Sequence, residues 1–134
     1  MSKIAIIYAS TTGNTEAMAQ AVKEGASGDV SIFEASSFDA STIGEYDSIA
    51  LGSPAMGAEE LEDSVEELYN NIEGSLKGKN VSIFGSYDWG DGQWLRDWED
   101  RLTNAGANVK QSLAVQNTPD DDGLAKCRDF GSKL

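Results

Sequence analysis

The chain has 134 residues, with 23 acidic against 10 basic side chains, no histidine and one cysteine. A formal charge of −13 disfavours nucleic acid and anionic membranes as partners and favours basic proteins. The missing histidine excludes His-based acid–base catalysis and His metal sites. One cysteine closes no internal disulfide, and no apolar run nears the ~20 residues of a membrane span. With no signal-peptide pattern at the N-terminus, these features predict a cytoplasmic chain folding as one domain over residues 1–134.

Lys3 to Tyr8 reads as a strand buried on both faces, because Ile4, Ala5, Ile6 and Ile7 leave no polar side. Ser10, Thr11, Thr12, Gly13, Asn14 and Thr15 follow, placing four hydroxyls, one glycine and one amide in six positions. Glu16 to Lys23 continues as a helix with Ala, Met and Val on one face. A strand running into a helix start presents unpaired N–H groups and the positive end of the dipole, so this loop is a candidate phosphate site. The bland alternative is an ordinary capped helix start. The loop lacks the G-K-[ST] ending of a nucleotide-triphosphate loop and the G-x-G-x-x-G of a dinucleotide site.

Gly25 and Gly28 are expected to stop the first helix, before a short strand from Val30 to Glu34. Phe38 to Tyr46 reads as an irregular turn or short helix, capped by Asp39 or Ser41. Ser48 to Ser53 is the third strand, Ser64 to Glu73 an amphipathic helix and Val81 to Ser86 the fourth strand. Gln93 to Asn104 is a helix, and Trp94, Leu95, Trp98, Arg101, Leu102 and Ala105 fall on one stripe that reads as core packing. Val109 to Val115 is a fifth strand, expected to break at polar Gln111 and Ser112. A last helix opens at Pro119 or Asp120 and carries Cys127 as a buried apolar residue. Alternation of strand and helix predicts an α/β fold, a doubly wound five-stranded parallel sheet with helices on both faces. The loops after the first, third and fourth strands then open on the same edge of that sheet.

Two of those loops carry unusual residues. Pro54, Ala55, Met56, Gly57, Ala58 and Glu59 place a methionine in a polar turn; Ser86, Tyr87, Asp88, Trp89, Gly90 and Asp91 place a tryptophan between turn formers. A regulatory receiver domain would need clustered aspartates after the first and third strands and a lysine after the fifth; Ala9-Ser10, Ser53-Pro54 and the residues after Val115 supply neither.

Thr-Gly-Asn-Thr after the first strand, together with SPAMGAEELED and FGSYDWGDGQW, resembles the three flavin-binding loops of the short-chain flavodoxins of anaerobic bacteria. The resemblance runs through essentially the whole chain. It implies strand order 2-1-3-4-5, with noncovalent FMN at the switch point between strands 1 and 3. That placement belongs to known flavodoxins and is not a reading of these residues. It implies that Ser10 to Thr15 hold the phosphate, that Met56 and Trp89 cover the two ring faces, that Gly57 offers its carbonyl to flavin N5 and that Glu59 bonds N3–H. Ala58 stands where relatives often carry Gly, Asn, Asp or Ser, and Asp88 where they often carry Gly. The function implied is low-potential one-electron transfer, cycling mainly between semiquinone and hydroquinone, with no substrate of its own. The expected partners are redox proteins with basic docking surfaces, and the expected state is a monomer. A two-electron flavin reductase or a flavin-bearing activator of a metalloenzyme are the alternatives on this fold.

Overall fold

The computed structural model describes residues 3–11, 13–56, 60–87 and 92–134. Five parallel strands, β1 Lys3–Tyr8, β2 Asp29–Glu34, β3 Ser48–Gly52, β4 Asn80–Tyr87 and β5 Asn108–Gln116, form one sheet in the order β2-β1-β3-β4-β5. Helices α1 Asn14–Gly25, α2 Asp63–Ile72, α3 Gln93–Asn104 and α4 Asp121–Ser132 connect or follow them. A 3₁₀ segment, Ala40–Glu45, fills the irregular stretch before β3, and Asp39 caps it by accepting the Ser41 amide.

Strand alternation divides the interior in two. Ile4, Ile6, Tyr8, Ala50 and Phe84 face α1 and α4, where they meet Met18, Val22, Cys127 and Phe130. Ile7, Ile49, Leu51, Val81 and Ile83 face α2 and α3, where they meet Leu68, Tyr69, Trp94 and Trp98. Trp94, Leu95, Trp98 and Leu102 are all buried, as their spacing predicts. Cys127 is fully buried, and desolvation pushes its thiol up to about 11 against a smaller opposing pull from Arg128.

One expectation is corrected. β5 does not break at Gln111 and Ser112. It runs unbroken and carries a bulge at Lys110, since Val81 pairs Val109 while Ser82 pairs Gln111. The extra residue switches side-chain parity. Val109 packs on the α2/α3 side, whereas Leu113 and Val115 pack on the α1/α4 side. Gln111 is accommodated because its amide donates to the Phe130 carbonyl at 2.9 Å. The first helix stops where expected, its last residue being Gly25. It is small because α1 and α4 touch there. A Cβ on Gly25 would lie 1.9 Å from the Arg128 carbonyl, and one on Gly131 would lie 2.0 Å from that of Val22.

Gly131→Ala therefore has no room without separating α1 from α4. Overpacking of this kind costs about 1–3 kcal/mol. Urea denaturation is expected to show a lower midpoint for Gly131→Ala and little change for Gly44→Ala, whose added Cβ meets nothing within 4 Å. Equal midpoints would show that the helix contact yields freely.

Candidate functional site

The crossover from β1 to β2 runs through α1 on one face, and that from β3 to β4 runs through α2 on the other. The chain thus diverges at the C-terminal ends of β1 and β3, leaving a crevice there. Ala9 N–H still reaches the Gly52 carbonyl at 3.1 Å, so the two strands stay paired to the lip of that crevice.

The first loop leads from β1 into the start of α1. Gly13 caps α1 with φ at 91°, a left-handed conformation glycine adopts without strain, and no side chain bonds the first-turn amides. Ser10 Oγ accepts the Gly13 N–H at 3.0 Å and holds the loop's shape. Thr11 is exposed and Asn14 half-buried. Thr15 differs from its neighbours: its hydroxyl is buried and lies 2.8 Å from that of Ser86 on β4. Thr12 lies outside the described residues.

The second loop leaves β3 at Ser53, which is fully buried and wired on every side. Its amide donates to the Phe84 carbonyl at 3.1 Å. Its carbonyl accepts the Trp94 indole N–H at 3.3 Å. Its hydroxyl donates to the Pro54 carbonyl at 2.9 Å and accepts the Glu62 amide at 3.0 Å. Nine residues apart, Ser53 and Glu62 close the loop at its base. Nearer the tip, Met56 and Glu60 exchange two backbone bonds, of 2.8 and 2.9 Å. Pro54 is buried and Ala55 half-buried, but Met56 is 37% exposed, so it is not a turn residue folded into the core. A large apolar side chain held outward on a clamped hairpin is available to cover a ligand. Gly57, Ala58 and Glu59 lie outside the described residues.

The third loop begins where β4 ends. Ser86 accepts the Ala55 amide on its carbonyl at 2.9 Å, and the Tyr87 carbonyl accepts the Asn117 amide at 2.7 Å. The Tyr87 ring sits 5.5 Å from that of Trp94, half-buried at the edge of the α2/α3 core. Asp88, Trp89, Gly90 and Asp91 lie outside the described residues. Asn117 follows β5 with φ at 60°, the one non-glycine residue in the left-handed region among those described.

Ser10, Thr11, Asn14 and Thr15, Pro54 to Met56, and Ser86 and Tyr87 are therefore gathered at one edge of the sheet. The hub role of Ser53 was not foreseen. Its only sequence signal is a polar residue closing an apolar strand. Beside Glu60, a cleft of about 410 Å³ between α2 and α3 is lined by Asp63, Glu66 and Asp97 as well as Trp94, Trp98 and Arg101. It is distinct from the crevice. Arg101 neutralises Glu66 through two bonds of 2.7 and 2.8 Å, and those bonds hold the Glu66 carboxyl below its ordinary range. Glu60 and Asp63 remain exposed.

The fold defines a doubly wound α/β protein with a helix start opening on the crevice at its switch point. The flavodoxin family profile matches residues 6–131. The chain is 41% identical over 132 residues to the flavodoxin of Megasphaera elsdenii, covering 96% of this chain and 95% of that one. It is 40% identical over 134 residues to the flavodoxin of Clostridium beijerinckii, covering 96% of each. The solution structure of two-electron reduced Megasphaera elsdenii flavodoxin superposes with a TM-score of 0.85 at 39% identity, over 98% of this chain and 99% of that one. The chain belongs to the flavodoxin family, whose members carry FMN and transfer electrons to redox partner proteins.

The residues fit that cofactor. A monoester phosphate needs N–H and O–H donors and room for the backbone to approach, and the uncapped start of α1 with Gly13 and its flanking hydroxyls offers both. Ser53→Ala would remove both hydroxyl bonds at the base of the second loop while leaving its backbone bonds in place. That loop is expected to become more susceptible to limited proteolysis while Tm falls by only a few degrees, about 1 kcal/mol. Unchanged cleavage would mean that the Met56–Glu60 clamp suffices alone.

Proposed function

We propose that the chain is a one-electron carrier without a substrate of its own, cycling noncovalent FMN mainly between its semiquinone and hydroquinone states. The observation that carries this reading is the convergence of an uncapped helix start and an outward-held Met56 on one sheet edge. FMN supplies the redox chemistry and the chain sets its environment. Ser10, Thr11, Thr12, Gly13, Asn14 and Thr15 hold the phosphate. Pro54 to Glu59 and Ser86 to Asp91 flank the ring, with Met56 on one face and Trp89 on the other and the Gly57 carbonyl available to a proton at N5.

The electrostatic contribution has a definite sign. The phosphate loop contains no Lys or Arg, so neutral donors leave the phosphate's charge uncompensated. Glu60 and Asp63 add negative charge nearby. One unit charge about 10 Å away at an effective dielectric of 20 contributes about 1.7 kcal/mol, or about 70 mV per electron. A few such charges make the second electron costly to accept and hence strongly reducing to donate.

Stepwise anaerobic reduction with dithionite is expected to turn the yellow protein blue before it bleaches. The blue neutral radical reports one-electron steps and a proton held at N5. Direct bleaching would shift the reading to two-electron reductase chemistry. Failure to take up FMN would remove it.

The same charge serves docking. A net −13 with no basic residue between Lys23 and Lys77 favours monomers that repel one another and steers basic redox partners towards the acidic middle third. Electron-transfer on-rates to a basic acceptor such as horse cytochrome c are expected to fall steeply between low and physiological salt. A flat dependence would mean that docking is not electrostatic. Such a carrier belongs in the cytoplasm, where its partners are reduced proteins.

A further inference from the structure

The Thr15–Ser86 contact poses a counting problem. Each hydroxyl carries one proton and can accept through its lone pairs. The two oxygens are 2.8 Å apart, and among the described residues neither side chain bonds any other group. One bond consumes one proton, so the pair always holds one proton over. Thr15 is 1% exposed and Ser86 4%, so water is poorly placed to take it. A buried proton without an acceptor is costly, and native interiors avoid it.

The position of each oxygen decides which proton is surplus. Ser86 stands on β4, on the side-chain face it shares with Phe84, beneath α1. Thr15 stands in the first turn of α1, beside the uncapped amides. If Thr15 donates, the surplus proton lies at β4, where no acceptor meets it among the described residues. If Ser86 donates, it lies at the helix start, where an anion supplies one. Accepting a bond also makes the Thr15 hydroxyl a better donor. A threonine at a helix start can direct its hydroxyl to more than one side by rotation about χ1. The Ser86 bond selects the rotamer that meets β4.

We propose that Ser86 is a positioning residue for the anion: it donates to Thr15 Oγ1, fixes the Thr15 rotamer and directs the Thr15 proton to the phosphate. This rests on the reading that the α1 loop holds the FMN phosphate. Ser86 also fixes the second loop, but through its carbonyl and the Ala55 amide. The hydroxyl can therefore be removed without removing that backbone bond.

The test is a comparison of FMN and riboflavin, which share the ring and ribityl chain and differ in the phosphate. Apoprotein carrying Ser86→Ala, Thr15→Val or both is titrated with each flavin and read by quenching of flavin fluorescence. Ser86→Ala is expected to weaken FMN about tenfold and to leave riboflavin unchanged. Thr15→Val is expected to weaken FMN at least as much. Ser86→Ala added to Thr15→Val is expected to do nothing further, because Ser86 acts through Thr15. Ser86→Cys, close in size with a weaker donor, is expected to fall between wild type and Ser86→Ala, and carries the test if the alanine variant does not fold. Equal losses for both flavins, unchanged FMN affinity, or a Ser86 effect that persists in Thr15→Val would overturn the assignment. Wild-type apoprotein that binds riboflavin as tightly as FMN would overturn the phosphate reading beneath it.

Discussion

Ser53 and Ser86 end adjacent strands, and between them they tie three loops that are far apart in sequence. Ser86 joins the start of α1 to the segment after β3; Ser53 joins that segment to α2 and to Trp94 on α3. Both serines are buried, so each bond forms where water competes poorly. Removing either hydroxyl would leave the sheet and the backbone bonds of these loops intact and would loosen only the tie that the hydroxyl itself makes. The precision of the site is thus a property of the strand ends, set before any ligand arrives.

The sheet supplies the platform for that wiring. β1 and β3 are apolar on both faces, and their divergent crossovers leave the crevice unfilled by any helix. The close approach of α1 and α4 at Gly25 and Gly131 seats α1 with little tolerance, and with it the helix start that forms one wall of the site. A defect at the far end of α1 would therefore be felt at the phosphate loop. Core packing and loop geometry are parts of one constraint.

Much of this was legible in the sequence, for identifiable reasons. Strands, helix faces and the burial of Trp94, Trp98 and Cys127 follow from periodicity, a repeated signal carried by many residues, whereas strand order came from the resemblance. Met56 was legible because an apolar side chain in a polar turn contradicts its surroundings. The Lys110 bulge was read as a break, because polar Gln111 and Ser112 look alike in either case; what decides is a hydrogen bond to α4, distant in sequence. Gly25 was legible as the end of a helix, whereas its close contact with α4 was not, because only the neighbouring helix shows it. The hub role of Ser53 and the bond between Ser86 and Thr15 were hidden for the same reason. A single hydroxyl at a strand end carries no pattern, and its partner lies 9 residues away for Ser53 and 71 for Ser86.

The bulge in β5 bears on how the protein behaves in a crowd. β5 is an outer strand with one row of backbone groups unpaired, the usual template on which two molecules stack into larger aggregates. Lys110 interrupts that row with an exposed cation and a local twist, so a second copy cannot lay a straight strand along it. At the opposite border, β2 begins and ends on acids, Asp29 and Glu34. A diffusing messenger must be abundant to be useful, and both borders of this sheet are shaped so that abundance does not turn into precipitation.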